Sequence, residues 1–210
     1  MTHRESPGRD GMGLGIALIP WGDVIEDFLD PLGLEPRDYL ASADGGWLFG
    51  YVAALQAENY RPFILWGSRS VAAPERLTHR ATGAAVWLFP AATRRPGVVS
   101  WRRWRAAPVG FVERLIRQED GRAIIAQEYE DARFDRWIGL GRRLGIPVFA
   151  SFQGGDRTAS RLEAMVRPWT LPRAAGLIVA GRPSMLASFV LVLMLGASWY
   201  TFRVWRRADR

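Results

Sequence analysis

Apolar residues in this chain gather in short unbroken runs, and the stretches between them repeat with a helical period. The runs are Gly15–Pro20, Pro62–Trp66, Ala84–Phe89, Ala123–Gln127, Pro147–Phe152 and Gly176–Ala180. They are too short for helices, and none alternates apolar with polar, the pattern of strands buried on both faces. Between them, Trp21–Leu34 sets Asp23, Glu26, Asp27 and Asp30 among apolar residues at helical spacing, and Pro36–Ala41 predicts a second, short helix. Trp47–Asn59 puts Leu48, Val52 and Leu55 on one helical face. Phe111–Arg117 and Arg157–Arg167 predict further helices. In Arg133–Leu144, Phe134, Ile138 and Leu144 are placed to face a sheet, and Gly145 sits where a C-cap belongs. Strands separated by helices predict an α/β fold built on a doubly wound parallel sheet. Ligands of such sheets sit at the carboxyl ends of the strands.

Two glycine turns fall at those ends. Asp44-Gly45-Gly46 follows the first strand at a distance and opens the helix at Trp47. Gln153-Gly154-Gly155-Asp156 follows the Pro147–Phe152 strand. Free backbone amides at a helix start suit a phosphate group. Equally, Gly45–Gly46 is a helix start without a ligand, and Gln153–Asp156 is a tight turn capped by Asp156. Glu128 and Glu130 end a strand with carboxylates on alternate faces, so they do not pair across one substrate. Glu128 is placed to meet an acceptor hydroxyl or simply solvent. Thr78 and His79 read as a loop, and the acids of Trp21–Leu34 as a solvated helix face rather than a divalent-metal site.

Composition narrows the chemistry. The 210 residues contain no cysteine, which removes disulfides, thiolate metal sites and cysteine nucleophiles. His3 and His79 are too few and too separated for a histidine metal site. There is no lysine, so all 28 basic residues are arginine, consistent with a genome that prefers arginine codons. Of the net charge of +7, the last 26 residues carry +3. The other 184 residues set 24 arginines against 20 acids, too mild a balance for a nucleic-acid-binding domain, and no recognition motif accompanies it. The densest aromatic and basic cluster is Trp101-Arg102-Arg103-Trp104-Arg105. Arginines seek anionic head groups and indoles prefer the interface, so this cluster is either a membrane contact or an exposed connector.

The tail breaks the rhythm. Met185–Phe202 is a run of 18 uncharged residues ending in Trp199 and Tyr200, with Arg203, Arg206 and Arg207 directly after it. That is near the length of a membrane-spanning helix, which needs about 20 apolar residues. The expected organisation is a disordered N-terminus over 1–12, an α/β domain over 13–182 and an apolar, transmembrane-like helix with a basic tail over 183–210.

The first strand with its Gly45–Gly46 turn, the strand end Gln127–Glu130, the run Ser151–Asp156 and the closing strand Ala175–Ala180 resemble the N-terminal, acceptor-side half of a GT-B glycosyltransferase of the family 4 type. The resemblance spans roughly Gly15 to Ala180. It implies a Rossmann-like domain, one half of a GT-B fold, from an enzyme that moves a sugar from a nucleotide-diphosphate donor to a hydroxyl or lipid-linked acceptor. It implies retention of anomeric configuration, and no metal or other cofactor. Gly45, Gly46 and Trp47 would approach the donor phosphate. Glu128, Gln153, Gly154, Gly155 and Asp156 would line the cleft, with Gln153 where the family often has histidine. An amide there can hydrogen-bond a sugar hydroxyl but cannot act as acid or base. No catalytic residue is assigned. The family places most donor contacts in a second domain, so the expectation is a truncated enzyme at the cytoplasmic face of a membrane, or in the cytoplasm if the tail is an artefact. The rival is a non-enzymatic membrane-attached module that binds an acceptor or a separately encoded donor domain.

Overall fold

The computed structural model describes residues 13–20, 22, 24–42, 47–91, 107–127, 133–152 and 161–179. Among the described residues, seven strands form one sheet: β1 (Gly15–Ile19), β2 (Arg61–Ser68), β3 (Glu75–Thr78), β4 (Ala85–Pro90), β5 (Gly121–Ala126), β6 (Val148–Phe152) and β7 (Gly176–Val179). Their order is β3-β4-β2-β1-β5-β6-β7, parallel throughout except that β3 pairs antiparallel with β4. The fold is therefore α/β with a mostly parallel sheet, as the pattern of runs predicts. All five residues of β1 are buried, and so are the last seven of β2.

Among the described residues, six α-helices cover the two faces. On one side lie α1 (Glu26–Leu29), α2 (Pro36–Ser42) and α3 (Trp47–Ala57), which close over Ile16, Leu18, Ile64, Val86, Leu88 and Ile125. On the other lie α4 (Val109–Gln118) and α5 (Phe134–Leu144), with α6 (Arg161–Thr170) contacting α5. The second core holds Ala17, Phe63, Leu65, Trp87, Ile124 and Ala150 together with Leu115, Ile116, Trp137 and Leu140 from the helices. The winding thus reverses between β1 and β5, the position at which doubly wound sheets open a crevice beyond their carboxyl ends.

Several sequence expectations change in detail. The helix expected over Trp21–Leu34 is a single turn, α1, followed by a 3-10 turn over Asp30–Leu32. Pro31 lies in that turn and Gly33 leaves it at φ +66, a left-handed conformation that ends the helix. The helix expected over Arg157–Arg167 is described over Arg161–Thr170, three residues past its expected end, while residues 157–160 lie outside the described residues. Gly145 caps α5 at φ +70 as expected, and Phe134 and Ile138 are buried with Leu144 packed against them. Thr78 belongs to a strand rather than a loop. β3 escapes a search for apolar runs because its residues alternate between half-buried and exposed, as on a sheet edge. Residues 1–12 and 180–210, and with them the expected tail helix, lie outside the described residues. No helix among the described residues is long and apolar enough to cross a membrane.

A buried carboxylate ties the amino-terminal edge of the sheet together. Glu119, just after α4, accepts hydrogen bonds from Arg61 Nη1 at 2.9 Å, Arg76 Nε at 3.0 Å and Trp87 Nε1 at 2.9 Å. It joins the start of β2, the edge strand β3 and the core of β4. Burial pushes its pKa up, but the bonds from Trp87 and Arg76 and the charges of Arg76 and Arg61 outweigh this and hold it below the ordinary carboxylate value. Glu119→Ala removes the acceptor and strands these donors, and is expected to lower unfolding free energy by ~3 kcal/mol in urea titrations at neutral pH. Because the folded carboxylate titrates below its unfolded value, about 4.3, its contribution is complete above that value and is lost as pH falls through the folded pKa. The difference between wild type and Glu119→Ala should therefore shrink in acid.

Candidate functional site at the carboxyl edge of the sheet

Alternation along parallel strands decides which side chains meet at the crevice. Ser68 shares its face with Ile64 and Trp66, Gln127 follows the phase of Ala123 and Ile125, and Ser151 that of Phe149. All three therefore point to the α1–α3 side, at the carboxyl ends of β2, β5 and β6, and all three are buried. β1 runs between β2 and β5 and ends there, its Ile19 carbonyl accepting from the Gln127 amide at 2.9 Å. α3 connects the carboxyl end of β1 to the start of β2, so it runs back across the sheet with its amino terminus at this edge. The first turn of a helix carries a partial positive charge at its amino end.

Glu26 organises the β2 end of this row. Its carboxylate is buried and accepts from the Ser68 hydroxyl. It also accepts from the Arg69 amide at 3.2 Å and the Ser70 amide at 3.2 Å. Ser68 Oγ lies 2.8 Å from Ser70 Oγ, and the Ile25 amide donates to Gly67 O at 2.8 Å. The loops that leave β1 and β2 are thereby clamped to each other. Burial raises the Glu26 pKa, yet the bonds from Ser68, its own backbone, Arg69 and Ser70 bring it below the usual value. Outside the clamp, Arg69 pairs with Asp30 and, at 3.5 Å, with Asp27. The acids of this segment therefore divide: Asp27 and Asp30 form the exposed face expected from the sequence, whereas Glu26 does not. The helical phase held the signal, since Glu26 precedes the buried Leu29 by three residues and shares its side.

The two edges of the sheet differ in how their polar groups are satisfied. At the amino edge Glu119 takes three donors. His79, completely buried, stacks on Phe49 with ring centroids 3.5 Å apart and places Nδ1 2.9 Å from Thr82 Oγ1. Thr78 pairs with Ala85 at the start of β4. Thr78 thus lies at the amino end of β4, and His79 is a packed core residue held against the first turn of α3. Toward the carboxyl edge, Ser151 Oγ and Trp66 Nε1 are closed to solvent and have no hydrogen-bond partner among the described residues. Arg133, buried ahead of α5, brings a positive charge to the side where β5 ends; nothing in its sequence surroundings marked it.

The residues expected to bind ligand fall outside this description. Gly45, Gly46, Glu128, Gln153, Gly154, Gly155 and Asp156 lie outside the described residues, as does the cluster Trp101, Arg102, Arg103, Trp104 and Arg105. Trp47 is described only as the first residue of α3. Among the described residues no three acidic or histidine side chains gather closely enough to hold a metal ion. Comparison with known proteins finds no family model that matches the chain and no curated protein similar to it.

The clamp gives a graded prediction. Glu26→Ala strands the two backbone amides and the hydroxyl and is expected to cost ~2–3 kcal/mol in thermal or chemical unfolding, against ~1 kcal/mol for Ser68→Ala. Glu26→Gln keeps one acceptor oxygen and should fall between them. Equal values for all three would remove the clamp as an account of this edge.

Proposed function

We propose that the chain is the acceptor-side domain of a glycosyltransferase, acting on a nucleotide-diphosphate sugar and a hydroxyl or lipid-linked acceptor. The observation that carries this is the reversal of winding between β1 and β5, with Ser68, Gln127, Ser151 and the amino end of α3 all directed to the carboxyl edge on one side of the sheet. The glycine turns that resemble those of GT-B enzymes follow strands on this same edge. In this reading the amides around Gly45, Gly46 and Trp47 receive the phosphates. Glu128, Gln153 and Asp156 hydrogen-bond sugar or acceptor hydroxyls. Trp101–Arg105 rests on an anionic membrane surface at its cytoplasmic face and brings the cleft to a lipid-linked acceptor. Such enzymes take most donor contacts from a second domain, so sugar transfer requires those contacts as well.

Residue-resolved binding tests this. Nucleotide-diphosphate sugars titrated into isotope-labelled full-length protein are expected to shift the amides of Gly22, Ile25, Trp47, Ser70 and Gln127. Asn59, Gly83 and Asp120, at the opposite edge, should stay in place. Shifts confined to that opposite edge, or none with any donor, would overturn the reading.

A further inference from the structure

The last helix and last strand carry an apolar flank that the described residues leave open. On α6, Met165 is 68% and Trp169 69% exposed. Four residues apart, they are neighbours along one stripe of the helix. The other side of α6 is fixed to α5: Arg167 Nε lies 3.2 Å from Asp135 Oδ1, and the Thr170 hydroxyl donates to the same carboxylate. Met165 and Trp169 lie about half a turn away from those contacts, so they face away from α5. On β7, Leu177 is 36% exposed although it pairs with Ala150, whose side chain lies in the core beneath α4 and α5. β7 ends the sheet.

Winding tells what belongs there. β5, β6 and β7 advance outward with α5 and α6 on one face, and crossovers of this kind keep a right-handed sense. The next place in that layer is beside α6 and over Leu177. The chain leaves β7 at Val179, and residues 180–184 connect it to the uncharged run Met185–Phe202. Five residues reach about 17 Å when extended, and neighbouring elements in such a layer sit about 8–10 Å apart. The run is thus tethered within reach of a patch of the kind that monomeric proteins cover.

We propose that Met185–Phe202 packs against Met165, Trp169 and Leu177 and fills the place beside α6, leaving Arg203, Arg206 and Arg207 in solvent. This assigns the apolar run to the protein's own flank instead of to a bilayer.

The absence of native cysteine makes a cross-linking test clean. Trp169→Cys would be paired in the full chain with Leu186→Cys, Phe189→Cys, Val190→Cys or Leu193→Cys in turn, oxidised and weighed intact. At least one pair is expected to close within a single chain, while the same tail positions paired with Gln56→Cys, on the far face, stay open. As a second readout, Trp169→Glu in the full chain should speed hydrogen exchange of the Leu177 and Ile178 amides about tenfold. Disulfides formed only between chains would overturn the proposal in favour of a second copy. Co-flotation with phosphatidylcholine vesicles without an intrachain disulfide would overturn it in favour of a bilayer. Failure of both cross-linking and the exchange change would overturn it outright.

Discussion

The structure depends on closing β1 between β2 and β5. β1 has only five residues, all buried, and parallel ladders on both sides. Two glycines permit the approach at its base. A Cβ on Gly15 would stand 2.7 Å from the Asp120 carbonyl oxygen, and one on Gly121 would stand 2.9 Å from Ile116 Cγ2 and 3.0 Å from Phe63 Cζ. The register shift between Gly15 and Ile16 falls at this point. With the centre fixed in this way, the helices divide between the faces at β1, and the crevice follows from that division rather than from any one side chain.

Two buried carboxylates secure opposite ends of the same sheet by different means. Glu119 gathers side-chain donors from three strands, so it braces the amino edge. Glu26 takes two backbone amides and a hydroxyl, so it shapes loops. Both sit below their ordinary pKa despite burial, because the donors around them favour the charged form. A carboxylate that holds backbone amides beside a crevice fixes where the neighbouring loop begins without itself facing a ligand.

Much of the scaffold was legible in the sequence, because strands buried on both faces leave unbroken apolar runs. Ile64, Val86, Ile124 and Ala150 sit where those runs predicted. β3 was not legible: an edge strand with one face in solvent reads as a loop when each residue is judged by polarity alone. The Trp21–Leu34 segment misled because its apolar spacing continues through Pro31 and Gly33, which backbone geometry does not allow a helix to cross. Glu26 and Arg133 were hidden for another reason, since a charged residue becomes a core residue only through partners distant in sequence. Of the expected site residues, only Trp47 lies among the described residues, as the first residue of α3, while Gly45, Gly46, Glu128 and Gln153–Asp156 lie outside them.

The central pairing also has a cost in time. Ile16 meets Ala123, so the strand that everything is built on finds its second neighbour only after most of the domain has been synthesised. Until then β1 offers one open edge, five apolar residues long, to any other chain nearby. Contacts of such long range slow folding. The step most exposed to misassembly is therefore the arrival of β5, and a cell making this protein has most need of chaperones in the interval before residues 121–126 leave the ribosome.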